Sequence, residues 1–459
     1  MRRTAVALTL LTALSCGAVG SQAVSAAGAP AGAGGGGGGR GTNILVVGID
    51  SRAGLSAAEK RRLHVGGKGC NCTDVMMLVH LSQNRRRASI VSIPRDSYVE
   101  HAGTTPARSG KINGAYALGG GPLTVATVEK ATGLHVDHYL EADFKGFEQT
   151  VNNLGGAIVC TDRPLKDENS GLDIGAGRHL SDGNRTLRYV RARHVNLRPG
   201  DLGRVRRQQR VVNDLLDRLT AEGSLNGPIS TARTVRTLLK TVRTDARTGV
   251  DDLVRIGWAL GHLRTDRTEF ATVPIRLFDH RVPGAGSTLV WDEARSAALW
   301  GALGADRPIT GDTRIQPVAE HPAPTDPARI KVRVDDADVA AALRGNGFAV
   351  TDTSATAPAV RPSGPPVIRY ATGQEENAAT VAAALPGSRL QADPDLEAVV
   401  EVAVGSRPVR VDTVTYDRNV ADGAPLTADR VRCAEPPDAP PAPRGGRPPG
   451  GPAPTRRRS

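Results

Sequence analysis

Residues 43–52, NILVVGIDSR, join a continuous apolar run of strand length to a Gly-x-Asp-Ser-Arg ending. A strand that is apolar at every position has no face to offer water, so it belongs in a sheet covered on both sides. The pattern recurs in DVMMLVHL (74–81), ASIVSIP (88–94), HVDHYLEADF (135–144) and GAIVCT (156–161). Helical stretches alternate with these strands. GPLTVATVEKATG (121–133) has Pro in its first turn and Gly at its end, the usual asymmetry of a helix. FKGFEQTVNNLGG (144–156) is a second helical stretch. The alternation predicts an α/β fold, a layered α-β-α domain around a central sheet. A long helix is expected from about Asp201, with Leu202, Val205, Val212, Leu215, Leu216 and Leu219 on its buried side at 3.6-residue spacing. Residues 225–304 read as mostly helical, with a strand at TEFATVPI (268–275).

Composition shifts divide the chain. Residues 1–27 carry two arginines, an apolar run from Ala5 to Val19, and small residues through Val24, Ser25 and Ala26. That is the pattern of a signal peptide or, uncleaved, of an anchor, with a lipoprotein signal at Cys16 as an alternative. Either way, the rest of the chain is placed outside the cytoplasm, in the cell envelope, membrane-anchored or secreted. A glycine-rich linker (28–42) leads to the α/β domain (43–304), and a Pro-rich linker (305–328) leads out of it. Residues 329–406 read β-α-β-β-α-β, a small α+β domain of split-βαβ type. Residues 407–459 read as an extended Pro/Arg-rich tail. Cys70, Cys72, Cys160 and Cys433 allow three full pairings, and the spacing does not choose among them.

Charge carries the functional reading. The net charge is +12, and RYVRARHVNLRPGDLGRVRRQQR (188–210) holds eight arginines and one acid, Asp201. Such a balance points to polyanionic partners. With 3% aromatic residues, single-stranded nucleic acid is a poor candidate, because that mode stacks bases on rings. In open α/β sheets ligands sit at strand carboxyl ends. Asp50 and Arg52 follow one strand, Arg95 and Asp96 another, and Lys111 precedes a helix. Arg191 and Arg193 project to one side if their segment is extended, while Arg204, Arg207 and Gln208 share a helix face at i, i+3, i+4. Several arginine forks with a few carboxylates suit a diphosphate and a divalent metal. His179 and His194 are expected to be incidental loop histidines.

NILVVGIDSRAG, CTDVMMLVHL, ASIVSIPRDSYV, GKINGAYALGG, LRYVRARH and GDLGRVRRQQRVV occur in the order seen in LytR-CpsA-Psr proteins, which this chain resembles over roughly 42–218. The segment VIRYATGQEENAATVAAALPG resembles the LytR C-terminal domain. The resemblance implies a phosphotransferase that moves a glycopolymer, with its phosphate, from an undecaprenyl-diphosphate carrier to peptidoglycan, at the C6 hydroxyl of N-acetylmuramic acid. A lipid-pyrophosphate hydrolase and a non-catalytic binder of anionic wall polymer are the alternatives. It further implies Mg²⁺ or Mn²⁺ on Asp50 and Asp74, and a diphosphate held by Arg52, Arg95, Lys111, Arg191, Arg193, Arg204, Arg207 and Gln208. Arg95 and Asp201 would be catalytic, Asp201 either orienting an arginine or acting as base. The implied partners are a polyprenyl-diphosphate-linked glycopolymer, peptidoglycan and the membrane surface, with no nucleic acid. Where many members have Arg-Ser-Asp, this chain has Cys72, Thr73 and Asp74, which puts one arginine contact in doubt.

Overall fold

A computed structural model describes residues 41–433 apart from 53, 67–68, 162–163, 194–201, 222–236, 238–239, 318, 352–363, 397–398 and 407. The expected signal or anchor segment and the last part of the expected tail lie outside the described residues. In chain order the first unit contributes β1 (Thr42–Ile49), β2 (Thr73–Leu81), β3 (Ala88–Ser92), α1 (Gly114–Thr132), β4 (His138–Ala142), α2 (Phe144–Asn153) and β5 (Ala157–Thr161). It continues with α3 (Gly183–Arg191), α4 (Leu202–Ala221), β6 (Arg243–Thr244), α5 (Val250–Leu260), β7 (Thr268–Thr272) and α6 (Glu293–Gly304). The second unit follows as β8 (Lys331–Val334), α7 (Ala337–Gly345), β9 (Ala349–Thr351), β10 (Val367–Tyr370), α8 (Glu375–Ala384), β11 (Arg389–Ala392) and β12 (Val400–Ala403). Then come α9 (Arg418–Gly423), β13 (Leu426–Thr427) and α10 (Ala428–Val431).

The central sheet is mixed, in the order β6-β4-β1-β2-β3-β7-β13. β2 is antiparallel to β1 and β3, whereas β4 runs parallel to β1 and β7 parallel to β3. The carboxyl ends of β1 and β3 therefore meet the amino end of β2 along one edge. Both sheet faces are covered, as the apolar runs require. Leu45, Val47, Met76, Leu78 and Val91 pack against Val128 of α1 and Leu299 and Trp300 of α6. On the other face Ile44 and Leu81 meet Leu253 and Ile256 of α5, while Met77, Ile90 and Phe270 meet Val212 and Leu216 of α4. The result is the layered α-β-α domain with a central sheet.

Helix α1 starts seven residues earlier than the pattern suggests and kinks at Gly119 and Gly120, where the backbone leaves helical values (Gly120 φ 63°). Pro122 then opens the expected segment, and Gly133 ends it in the left-handed region at φ 71°.

Four expectations differ from the structure. Within the stretch read as mostly helical, Ile275–Val282 and Gly286–Trp291 form an antiparallel hairpin. Residues 305–315 are not linker, since Ile309 and Ile315 are buried in the first core. Their backbone is tied down as well, Glu269 accepting from the amides of Ile309 and Thr310. The small domain carries a strand that the pattern lacks. β11, sequence RLQA, is exposed throughout and has no alternation to betray it. Its five-stranded sheet runs β9-β8-β12-β10-β11, with α7 and α8 packed on it around Val339, Leu343 and Val381. Finally, residues 408–433 are not an extended tail. They fold back, and β13 joins the far edge of the first sheet against β7.

Candidate anion-binding site

The site grows from the sheet edge where β1, β2 and β3 end. After Ile49, Asp50 stays buried at 8% exposure and its amide donates to the Cys72 carbonyl at 3.0 Å. Gly48 pairs with Val75 and Ile49 with Thr73, so Asp74 lies in an irregularity of the β1–β2 ladder. Such a bulge re-aims a side chain out of the regular alternation. Arg95, Asp96 and Ser97 follow β3. Lys111 ends a short hairpin in which Tyr98 pairs with Lys111.

Three carboxylates organise the cations. Arg52 grips Asp50 with a fork, Nε and Nη2 each donating at 2.8 Å. That hydrogen-bonded pairing raises the Arg52 guanidinium above its ordinary value despite partial burial. Arg95 donates from Nη1 to Asp74 Oδ1 at 2.6 Å, and Arg193 Nη2 stands 3.7 Å from the same oxygen. Burial by itself would push the Asp74 carboxyl up, but the charges of Arg95, Arg204 and Arg193 hold it below the ordinary carboxylate range. Asp96 bridges Arg95 Nε (3.4 Å) and Lys111 Nζ (2.8 Å).

Arg191 is placed otherwise than the two-residue spacing suggested. It is the last residue of α3, not part of an extended segment, because Asp182 caps the helix and its turns continue to Arg191. Its guanidinium lies 4.6 Å from the centroid of the Phe144 ring and donates to the carbonyls of Leu63 (3.0 Å) and His64 (3.4 Å). Burial lowers its basicity, as do Arg52 and Arg193, while Asp74 and Asp50 act the other way. A guanidinium remains charged under all these influences.

The first turns of α4 bury polar residues beside Leu202 and Val205. Arg204, Arg207 and Gln208 are all buried, and Gln209 fully so. Arg204 faces Asp74 electrostatically. Arg207 and Gln208, expected on the diphosphate, instead direct donors at the end of α3. Arg207 Nε bonds the Tyr189 carbonyl at 3.2 Å and its Nη2 the Ala192 carbonyl, while Gln208 Nε2 bonds the Val190 carbonyl at 3.3 Å. These donors satisfy carbonyls that a helix end leaves orphaned. Arg207→Leu should accordingly cost about 2–4 kcal/mol of stability, read as a lowered midpoint in denaturant unfolding of the full chain.

Asp201 and His194 lie outside the described residues. His179 Nε2 is engaged with the Gly175 carbonyl at 3.0 Å. The cysteines pair as Cys70–Cys72 and Cys160–Cys433, so the position where many relatives have arginine is closed by a disulfide. Among the described residues no group of three or more His, Cys, Asp or Glu side chains is placed to hold a metal. Asp96 was visible beside Arg95 in the sequence but given no role there. Phe144 and the Leu63 and His64 carbonyls carry no sequence signal as arginine supports.

Among the described residues, six cations (Arg52, Arg95, Lys111, Arg191, Arg193, Arg204) thus form one network with three carboxylates (Asp50, Asp74, Asp96), so that positive charge outweighs negative there by three. Beyond Ser97 the same chain enters the wall of a cavity of about 930 Å³, lined by Val99, Leu134, Val290, Trp291 and Trp300, with Glu100 and Lys130 also in its wall.

The fold and site are those of a covered α/β sheet with an arginine-rich network at its strand ends. The chain belongs to the LytR-CpsA-Psr family. The family described as LytR_cpsA_psr matches residues 36–303, and the one described as LytR cell envelope-related transcriptional attenuator matches 336–407. A probable cell wall biosynthesis protein, LcpB of Corynebacterium glutamicum, is 38% identical over 266 residues, covering 57% of this chain and 61% of that protein. The polyisoprenyl-teichoic acid–peptidoglycan teichoic acid transferase TagV of Bacillus subtilis is 36% identical over 160 residues, or 33% of this chain and 40% of that protein. The chain therefore spans less than two thirds of the length of these curated relatives. The crystal structure of B. subtilis TagV aligns at a TM-score of 0.48 with 24% identity, over 59% of this chain and 98% of that one.

Proposed function

We propose that the chain transfers a glycopolymer with its phosphate from a polyprenyl-diphosphate carrier to a peptidoglycan hydroxyl, in the cell envelope. The observation that carries this reading is the surplus of cations over carboxylates among the described residues, brought as arginine forks and one lysine ammonium from strand ends and two helices. A diphosphate diester brings two negative charges and several oxygens in fork geometry, which matches arginine. Family membership and the relatives named for cell wall biosynthesis and teichoic acid transfer support the same substrate class. The 930 Å³ cavity supports a prenyl tail, since its wall starts two residues beyond Asp96 and is mostly apolar. No helix among the described residues is long and apolar enough to cross a membrane.

In the reaction, the acceptor oxygen forms a bond to the phosphorus that bears the glycan, the bridging P–O bond breaks, and polyprenyl monophosphate leaves. Phosphoryl transfer of this kind needs positioning and charge neutralisation more than covalent help. Arg95 and Lys111, tied together by Asp96, would hold one phosphoryl group. Arg191, Arg193 and Arg204 would hold the other and meet the charge on the leaving oxygen. The acceptor's proton needs a base, and Asp201 is the residue proposed to take it or to orient an arginine. The donor set fits Mg²⁺ or Mn²⁺ on Asp74 with Asp50. Asp74 would offer a carboxylate to a hard cation that takes its other ligands from phosphate and water, with Asp50, both of whose oxygens Arg52 engages, as the second acid. Such a metal would add neutralisation of the diphosphate.

The test mixes the full chain with a polyprenyl-diphosphate sugar, peptidoglycan fragments and Mg²⁺, with and without chelator, and follows products by mass spectrometry. A metal-dependent glycan joined through a phosphodiester is the expected result. Release of sugar phosphate to water alone would replace the transferase with a pyrophosphatase. Failure to bind any lipid diphosphate would return the arginines to a basic face lying on anionic wall polymer.

A further inference from the structure

The small C-terminal domain is spliced into the first fold rather than appended to it. Its outgoing and returning connections run side by side. The amide of Ala323 donates to Thr415 and that of Thr415 to His321, both at 2.9 Å. The returning chain then stays on the first unit to Cys433. Asn419 brackets Ile275, accepting from its amide at 2.7 Å and donating to its carbonyl at 2.9 Å. β13 adds to β7 through Phe270↔Leu426 and Glu269↔Thr427. Ala428 and Val431 are buried against Met77, Ile90 and Phe270. The segment ends in a covalent bond to β5, Cys160–Cys433, across a sequence separation of 273 residues.

What lies under this segment is α4. Asn213, 2% exposed, donates from Nδ2 to the Ala428 carbonyl at 3.0 Å, and Arg432 pairs with Asp217 at 2.8 Å. From beneath, the Ile158 amide of β5 donates to Asp214 at 2.8 Å. The helix is thus seated between β5 and the returning chain, and the disulfide joins those two supports to each other. Two and a half turns earlier the same rigid helix carries Arg204 toward Asp74, and Arg207 and Gln208 against the end of α3 that presents Arg191.

We propose that residues 415–433 are a strap that sets the position of α4, and through it of Arg204 and Arg191, with Asn213 as a positioning residue and Cys160–Cys433 as the fastening. The strap's effect runs through the helix, and only the functional arm of its test rests on the diphosphate reading above.

The experiment uses the full chain carrying Cys16→Ser, Cys70→Ser and Cys72→Ser, so that Cys160–Cys433 is the only disulfide. Dithiothreitol passes two electrons and two protons to the Sγ–Sγ bond, giving two thiols and its own cyclic disulfide. Amide hydrogen exchange and the Kd for geranylgeranyl diphosphate are measured before and after. Reduction should speed exchange in both 415–433 and 202–209 and weaken the probe by about tenfold, the scale of coupling through a supporting element. The oxidised Asn213→Ala chain should do the same more mildly, and it takes over the test if reduction unfolds the whole protein. Faster exchange confined to 415–433 would overturn the proposal, as would a loosened 202–209 with unchanged affinity. If the oxidised chain does not bind the probe at all, the diphosphate reading fails, and the exchange at 202–209 still decides whether the strap holds α4.

Discussion

Asp74→Asn is expected to lower turnover by about 10²–10³-fold, the usual cost of one preorganised electrostatic group, while metal-free binding of a diphosphate tightens. The two effects have one cause. Asp74 is the carboxylate shared by Arg95 and Arg193 and faced by Arg204. Without its charge the network's positive excess rises by one, so an anion is attracted more strongly. The proposed cation loses its principal ligand at the same time, and the arginines lose the partner that holds them apart in register. Calorimetry with geranylgeranyl diphosphate in chelator, beside turnover in Mg²⁺, separates the two. Weaker binding together with normal turnover would remove Asp74 from the site. Acid adds a check. The folded carboxyl is held below its ordinary value, so its contribution to stability is complete above about pH 4 and is lost only as pH falls through the depressed value. An activity loss near pH 5–6 that survives in Asp74→Asn would belong to another group.

How much of this was legible depends on which signals period and punctuation can carry. The apolar runs of β1, β2 and β3 declared a covered sheet, because burial on both faces removes polar residues from the strand itself. Pro122 and Gly133 marked the second half of α1 because their backbones punish other placements. The carboxylates and arginines at strand ends were legible as types. Strand-end placement and spacing grouped the cations, and the resemblance added Asp74 and the metal role. Three things were not legible. Arg191 looked extended because α3 has few apolar residues, and its start rests on a single Asp182 cap. Arg207, Gln208 and Gln209 are buried polar groups, and a periodicity count sees only apolar ones, so it marked Leu202 and Val205 as buried and missed the buried polar side beside them. The strap hides for a third reason. β13 is two residues long and its partners lie more than 150 residues away, so nothing local distinguishes it from the polar tail beyond. Cysteine pairing is equally non-local, although Cys433 in an otherwise linker-like stretch was the one residue there that needed a partner.

Arg191→Met is expected to cut kcat/KM for the lipid-diphosphate donor by about 10²-fold and yet leave Tm unchanged or raised. The expectation follows from the balance of forces on the guanidinium. Its basicity is lowered in the folded chain, first by burial and then by Arg52 and Arg193, despite help from Asp74 and Asp50. A lowered value means that folding disfavours the charged form, so the folded chain holds an unfavourable interaction at this residue. The Phe144 ring and the carbonyls of Leu63 and His64 hold the fork in place without neutralising it. An arriving diphosphate would supply the missing charge, so part of what the chain gives up in stability returns as affinity. Methionine fills similar volume and keeps contact with Phe144, removing the stored repulsion and the function together. Lysine would keep the charge, but its three donors sit on one nitrogen and cannot reproduce the planar fork that reaches two carbonyls from separate nitrogens, so Arg191→Lys should recover little activity. Thermal melting beside donor kinetics decides the matter: a clear drop in Tm with kcat/KM intact would make Arg191 a structural cap of α3, and the site's excess charge would then have to be found elsewhere.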